Sequence, residues 1–143
     1  MEKGRGAIKA LYGLSSYIRK CSIDHTLAHL IEFRVSQING CAYCLDMHWK
    51  DAIAKGESGQ RLYGLSAWRE SPYYSERERA ALEWAEAVTA ANVPDEVYAK
   101  AEAQFSDEEL IDLTLIVSAI NTWNRLNIAF PNDVGSYQVG QFA

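Results

Sequence analysis

Two stretches of the form Ser-x-x-Glu, Ser75 to Glu78 and Ser106 to Glu109, each stand before a long run of helix-forming residues. In this pattern the serine hydroxyl accepts from the glutamate's amide, and the carboxylate reaches back to the serine's own N–H. Two donors that a helix start leaves bare are satisfied together. The three prolines, at 72, 94 and 131, each fall where a helical pattern stops, as a residue without an N–H requires. No stretch shows convincing period-two alternation. Together these signals predict an all-α fold, a single-domain bundle of about six helices whose core comes from helix–helix packing.

The apolar spacing places the elements. A first helix is expected over residues 6–20, with Ile8, Leu11, Tyr12, Leu14 and Ile18 as its apolar positions. Ser22 is a fitting cap for a second, which keeps Leu27, Leu30, Ile31, Val35 and Ile38 on one stripe. Asn39-Gly40 ends it, since both residue types tolerate a left-handed C-cap. A third helix is expected from near Cys41 to Lys55, then a short turn over Ser58 to Tyr63. The two capping boxes open helices through about Ala90 and Ala129, with a shorter one from Pro94 through Phe105 between them. The domain core covers about 7–130. The tail 131–143, with Gly135, Gly140 and few hydrophobic residues, is expected to be loose. One echo stands out: Val35-Ser36-Gln37-Ile38-Asn39 against Val117-Ser118-Ala119-Ile120-Asn121.

Size and charge remove several functions. A chain of 143 residues fits one domain with a real core. With a formal charge of −5 and scattered Lys and Arg, no basic patch serves nucleic acid. The longest apolar-rich run, Leu113 to Ile120, is far too short to span a membrane. Basic residues in Met1-Glu2-Lys3-Gly4-Arg5-Gly6 are not followed by the hydrophobic core and cleavage site of a leader. The expectation is a cytoplasmic protein. In that compartment structural disulfides are rare, so a Cys-x-x-Cys pair reads as catalytic or metal-binding. Cys21 leaves an odd cysteine count, which speaks against a fixed disulfide framework.

That pair lies in Cys41-Ala42-Tyr43-Cys44-Leu45-Asp46-Met47-His48. On a helix, spacings of three, four and seven put Cys41, Cys44 and His48 on one face. Gly40 breaks the chain just before, so Cys41 falls at or near an N-cap, where free amides and the helix dipole favour a thiolate. His48, one turn past Cys44, can take its proton directly or through a water. The dipole favours Cys41 as the attacking thiol and the nearby base favours Cys44; both orders stand at this point. A structural zinc site needs four ligands, usually as two separated pairs. The candidates here, Cys41, Cys44, His48 and either His29 or His25, do not make such a set, and no metal is expected. Haem attachment needs a histidine directly after the second cysteine, where Leu45 stands.

The stretch Arg34-Val35-Ser36-Gln37-Ile38-Asn39-Gly40 and the motif after it resemble the core of the alkyl hydroperoxide reductase D-like proteins, within the carboxymuconolactone decarboxylase-like superfamily. The flanks Arg61-Leu62-Tyr63, Ala67-Trp68-Arg69-Glu70, Glu76 to Leu82 and Ala119 to Arg125 resemble its small single-domain branch. The resemblance implies an all-helical homotrimer or homohexamer, with peroxidase or disulfide-reductase activity and no haem, flavin or metal cofactor. It implies Cys44 as the peroxidatic thiol, Cys41 as the resolving thiol and His48 in the proton relay. Better-known members carry a glutamate twelve residues before the first cysteine, where this chain has His29. They often carry histidine between the cysteines, where this chain has Tyr43.

That departure leaves two relay candidates. His29 can carry protons, since imidazole titrates near neutrality. Glu32 is the other. In an antiparallel hairpin about Gly40, His48 lies about 10 Å from the turn, a level that falls near Glu32 or Phe33 on the preceding helix. His25, beside Asp24, reads as surface, and Asp46 and Trp49 point off the cysteine face. The leading expectation is a thiol peroxidase that consumes a hydroperoxide and is re-reduced by a dithiol donor, a lipoyl group or a thioredoxin-like protein. The alternatives are a decarboxylase or lactone-type enzyme of the same superfamily, which generally lacks the cysteine pair, and a non-catalytic redox-sensing oligomer.

Overall fold

The computed structural model describes residues 4–143. Met1, Glu2 and Lys3, the start of the stretch read above for a leader, lie outside the described residues. Seven α-helices follow one another: α1 Arg5–Ile18, α2 His25–Asn39, α3 Ala42–Ala54, α4 Gly59–Tyr63, α5 Glu76–Thr89, α6 Asp95–Glu102 and α7 Asp107–Ala129. A 3₁₀ segment, Gly64–Glu70, sits between α4 and α5. Among the described residues there is no strand, and no helix is long and apolar enough to cross a membrane. The all-α expectation holds, with seven helices in place of about six.

Both capping boxes form as their sequences require. Ser75 and Ser106 each accept from the N3 amide, and Glu78 and Glu109 each reach back to the cap. The predicted cap of α2 is corrected. Asp24 holds that position and accepts from Leu27 N–H at 2.9 Å, while Ser22 donates from its amide and hydroxyl to Asp112 on α7, at 2.9 and 2.7 Å. The Tyr17 hydroxyl donates to the same carboxylate at 2.7 Å. A buried carboxylate is stable only when its lone pairs are filled, and Asp112 fills them with the end of α1 and the turn after it. Phe105 falls outside α6, which stops at Glu102.

The core lies where α2 packs against α7, α3 and α5. Leu30, Ile31 and Val35 of α2 meet Leu82 of α5 and Leu113, Ile116 and Val117 of α7 in one contiguous cluster. The two echoing segments touch: Asn39 donates to Asn121 at 2.9 Å and to Asn124 at 3.0 Å, and Asn124 donates to Ser36 at 3.1 Å. This polar ladder fixes the register of α2 on α7 at the end where α3 begins. The tail, expected to be loose, instead docks on α3. Tyr137 is 3% exposed and donates to Asp51 at 2.8 Å. Lys50 donates to the carbonyls of Gly135 and Tyr137 at 3.0 and 3.1 Å.

Candidate active site

The site is built on one left-handed residue. Gly40 has φ of 67°, a conformation that a side chain makes costly, and the turn it closes swings the chain from α2 into α3. Cys41 becomes the N-cap of α3, and its Sγ accepts from the Cys44 amide at 3.3 Å. Cys41 and Cys44 are joined in a disulfide, with Cα atoms 5.3 Å apart. They are 1% and 0% exposed. When the bond is reduced, the free amides of the first turn favour a thiolate at this end of the helix.

His48 follows one turn after Cys44 and is buried. Across the hairpin, Glu32 Oε2 lies 3.4 Å from His48 Nδ1 and 3.4 Å from His29 Nδ1. The two relay candidates therefore converge on one point. His29 and Glu32 share a face of α2 at i, i+3, and the carboxylate stands between the two imidazoles. On the outer side, Lys55 Nζ lies 3.0 Å from His29 Nε2. An ammonium only donates, so His29 Nε2 is the acceptor in this contact and Nδ1 is the nitrogen that faces Glu32.

Burial lowers the pKa of His48 against the pull of Glu32, so its imidazole is neutral near pH 7. Burial pushes Glu32 up, but His48, His29 and Lys55 together hold it below the usual carboxylate range. Lys55, beyond His29, is the outermost of the three groups that lower it.

Two residues that sequence reasoning did not single out complete the surroundings. Asn127 of α7 points its amide Nδ2 at Cys44 Sγ, at 3.7 Å. It is held by the Trp123 carbonyl at 3.0 Å and by Asn132, which donates to its Oδ1 at 2.7 Å. Lys55 is the second. Asn127 lies far along the chain and no local spacing links it to the motif, whereas Lys55 falls seven residues after His48, the same spacing that separates His48 from Cys41, and that spacing is the signal that could have found it. Of the flanking residues, His25 is exposed as expected. Asp46 accepts from Lys50 at 2.8 Å, and the Trp49 ring packs toward Phe33 at 6.2 Å between centroids. Cys21 is a free thiol, partly buried against the core.

The all-helical fold, with its Cys-x-x-Cys pair opening a helix, is of the AhpD-like type. Residues 7–87, more than half of the chain, match the Carboxymuconolactone decarboxylase family, and the chain belongs to that family. It is 44% identical over 132 residues to the YdfG protein of Bacillus subtilis strain 168, covering 90% of each. It is similar to a crystal structure from Agrobacterium tumefaciens, described as a protein of unknown function and a candidate AhpD antioxidant defence protein. There the TM-score is 0.88 at 40% identity, over 96% of this chain and 98% of that one. The apo debrominase Bmp8 follows with a TM-score of 0.78 at 27% identity, over 95% and 75% of the two chains.

Proposed function

We propose that this protein is a dithiol peroxidase, a disulfide oxidoreductase that reduces hydroperoxides at Cys44 and Cys41. The observation that carries this reading is the buried pair at the start of α3, already able to close its disulfide, with His48 one turn on and Glu32 behind it. The AhpD description of the Agrobacterium relative supports it.

In the first step the Cys44 thiolate attacks the terminal oxygen of ROOH. The O–O bond breaks, Cys44 becomes a sulfenic acid, and RO⁻ leaves and takes a proton as ROH. The Cys44 proton is first lost to His48, whose orientation and charge are set by Glu32. Cys41 then attacks the sulfenic sulfur, the disulfide forms and water leaves. A dithiol donor, a lipoyl group or a thioredoxin-like protein, returns two electrons by exchange and is itself oxidised to a disulfide. Asn127 supports negative charge on Cys44 sulfur. The working form in this reading is a cytoplasmic homotrimer or homohexamer.

The test is intact mass with disulfide mapping after one equivalent of an organic hydroperoxide on fully reduced protein. The expected result is loss of two hydrogens at Cys41–Cys44, and one added oxygen on Cys44 in Cys41→Ser. An unchanged mass with both thiols still open to alkylation sinks the reading and turns attention to decarboxylase or lactone chemistry.

A further inference from the structure

Among the described residues, three buried side-chain nitrogens go without a hydrogen-bond partner: His29 Nδ1 and both ring nitrogens of His48. Folded proteins rarely leave such atoms unpaired, so each instance calls for an explanation. Here they gather around one carboxylate. Glu32 Oε2 is 3.4 Å from each Nδ1, longer than the 2.7–3.2 Å of an N–H···O bond. Two donors on a tetrahedral ion with arms of about 2.05 Å lie about 3.3 Å apart. Both Glu32–imidazole separations match that ligand spacing. One donor atom from each of the three residues lies within 4.8 Å of the other two, and the His48 side chain is only 8% exposed.

We propose that His29, Glu32 and His48 form a binding site for one divalent transition-metal ion of zinc's type, with the remaining coordination position open. Two imidazoles and one carboxylate are a donor set for such ions. An i, i+3 pair on one helix plus a residue from the facing helix is how helical bundles build metal sites. It differs from the set that the cysteine spacing offers, since Cys41 and Cys44 are bonded to each other and Glu32 takes part. A cleft lined by His25, His29, Lys55 and Glu57 opens beside His29. The exposed Nζ of Lys55 sits on His29 Nε2, the ring nitrogen that faces away from the proposed ion.

The site does not depend on the peroxidase reading, because the test uses protein with its Cys41–Cys44 disulfide closed. Chelator-treated oxidised protein is titrated with Co²⁺, followed by visible absorption, and then with Zn²⁺ in competition. The expected result is one Co²⁺ per chain, displaced by one Zn²⁺, with no thiolate-to-cobalt charge-transfer band. Glu32→Gln weakens Co²⁺ binding at least tenfold, and so does His29→Ala at a partly exposed position, with the fold of each variant checked by circular dichroism. Cys21→Ser binds as tightly as the wild type. Failure of the oxidised protein to bind Co²⁺, binding unchanged in both folded variants, or a thiolate band lost in Cys21→Ser each overturns the proposal.

Discussion

Glu32 Oε2 stands 3.4 Å from His48 Nδ1, and this pair joins the two arms of the α2–α3 hairpin beside the dithiol. Its position follows from the turn at Gly40. Counting back nine residues from Cys41 along α2 and forward seven along α3 reaches the same level of the hairpin, so a carboxylate on one arm faces an imidazole on the other. His29, one turn further from Gly40, extends the row to Lys55 at the surface. The row connects a buried base to solvent without exposing the sulfurs.

Glu32→Gln removes the charge and keeps the shape. In metal-free protein the rate of Cys44 oxidation by hydroperoxide is expected to fall roughly 100-fold, within the range that a positioned acid–base system contributes. Stopped-flow measurement of the single-turnover step checks this, with helical content monitored in parallel. A folded variant with wild-type rate would remove Glu32 from the relay.

Asn127→Ala tests the contact from α7. The amide at 3.7 Å from Cys44 Sγ is a weak donor to sulfur, so a small effect is expected. About 1 kcal/mol of lost stabilisation of the thiolate corresponds to a rate about fivefold lower. Cys41→Ser,Asn127→Ala is the background in which to read it, because the oxygen added to Cys44 is then counted without the resolving step.

Much of this architecture is legible locally and the rest is not. The starts at Ser75 and Ser106 are readable because a capping box is complete within four residues. Gly40 and the cysteine face are readable for the same reason: both depend on helical spacing alone. Glu32 is reached by counting levels on a hairpin. Ser22 against Asp24 is not decidable from propensity, since both are good caps; Asp112, ninety residues along the chain, claims Ser22. Asn127 comes to the site through tertiary packing, which leaves no spacing to read, while Lys55 is legible as the residue seven after His48 on the helix that carries the motif. The tail misleads because its glycines suggest freedom while Tyr137 on Asp51, and Lys50 on two tail carbonyls, anchor it.

The Tyr137 anchor has its own test. Burial, and then the neighbouring Asp51, push the Tyr137 hydroxyl up to about 12, so it stays a hydrogen-bond donor throughout the neutral range. Tyr137→Ala removes the buried ring and the bond to Asp51, and the segment from Pro131 to Ala143 is expected to become a protease-sensitive end. Limited proteolysis with mass mapping reads this directly. Equal resistance in wild type and variant would mean that Lys50 alone holds the tail.

Asp112 supplies a pH-dependent prediction with a definite sign. Burial pushes its carboxyl up, but the Ser22 hydroxyl and amide and the Tyr17 hydroxyl outweigh burial, and its pKa is lowered. An unfolded aspartate titrates near about 3.9. A group depressed below that value contributes stability that is fully present above the unfolded pKa and is lost as pH falls through the folded one. Asp112→Asn keeps one acceptor but turns an amide donor toward Ser22 or Tyr17. At pH 7 it is expected to cost about 2 kcal/mol, which lowers Tm by roughly 6 °C in a domain of this size. Urea unfolding of both proteins from pH 7 to pH 3 checks the linkage. The gap between wild type and variant should narrow below about pH 4, as the wild-type carboxylate takes up its proton. A gap that stays constant over that range would show that Asp112 acts through packing, and that the bonds to Ser22 and Tyr17 do not hold its charge.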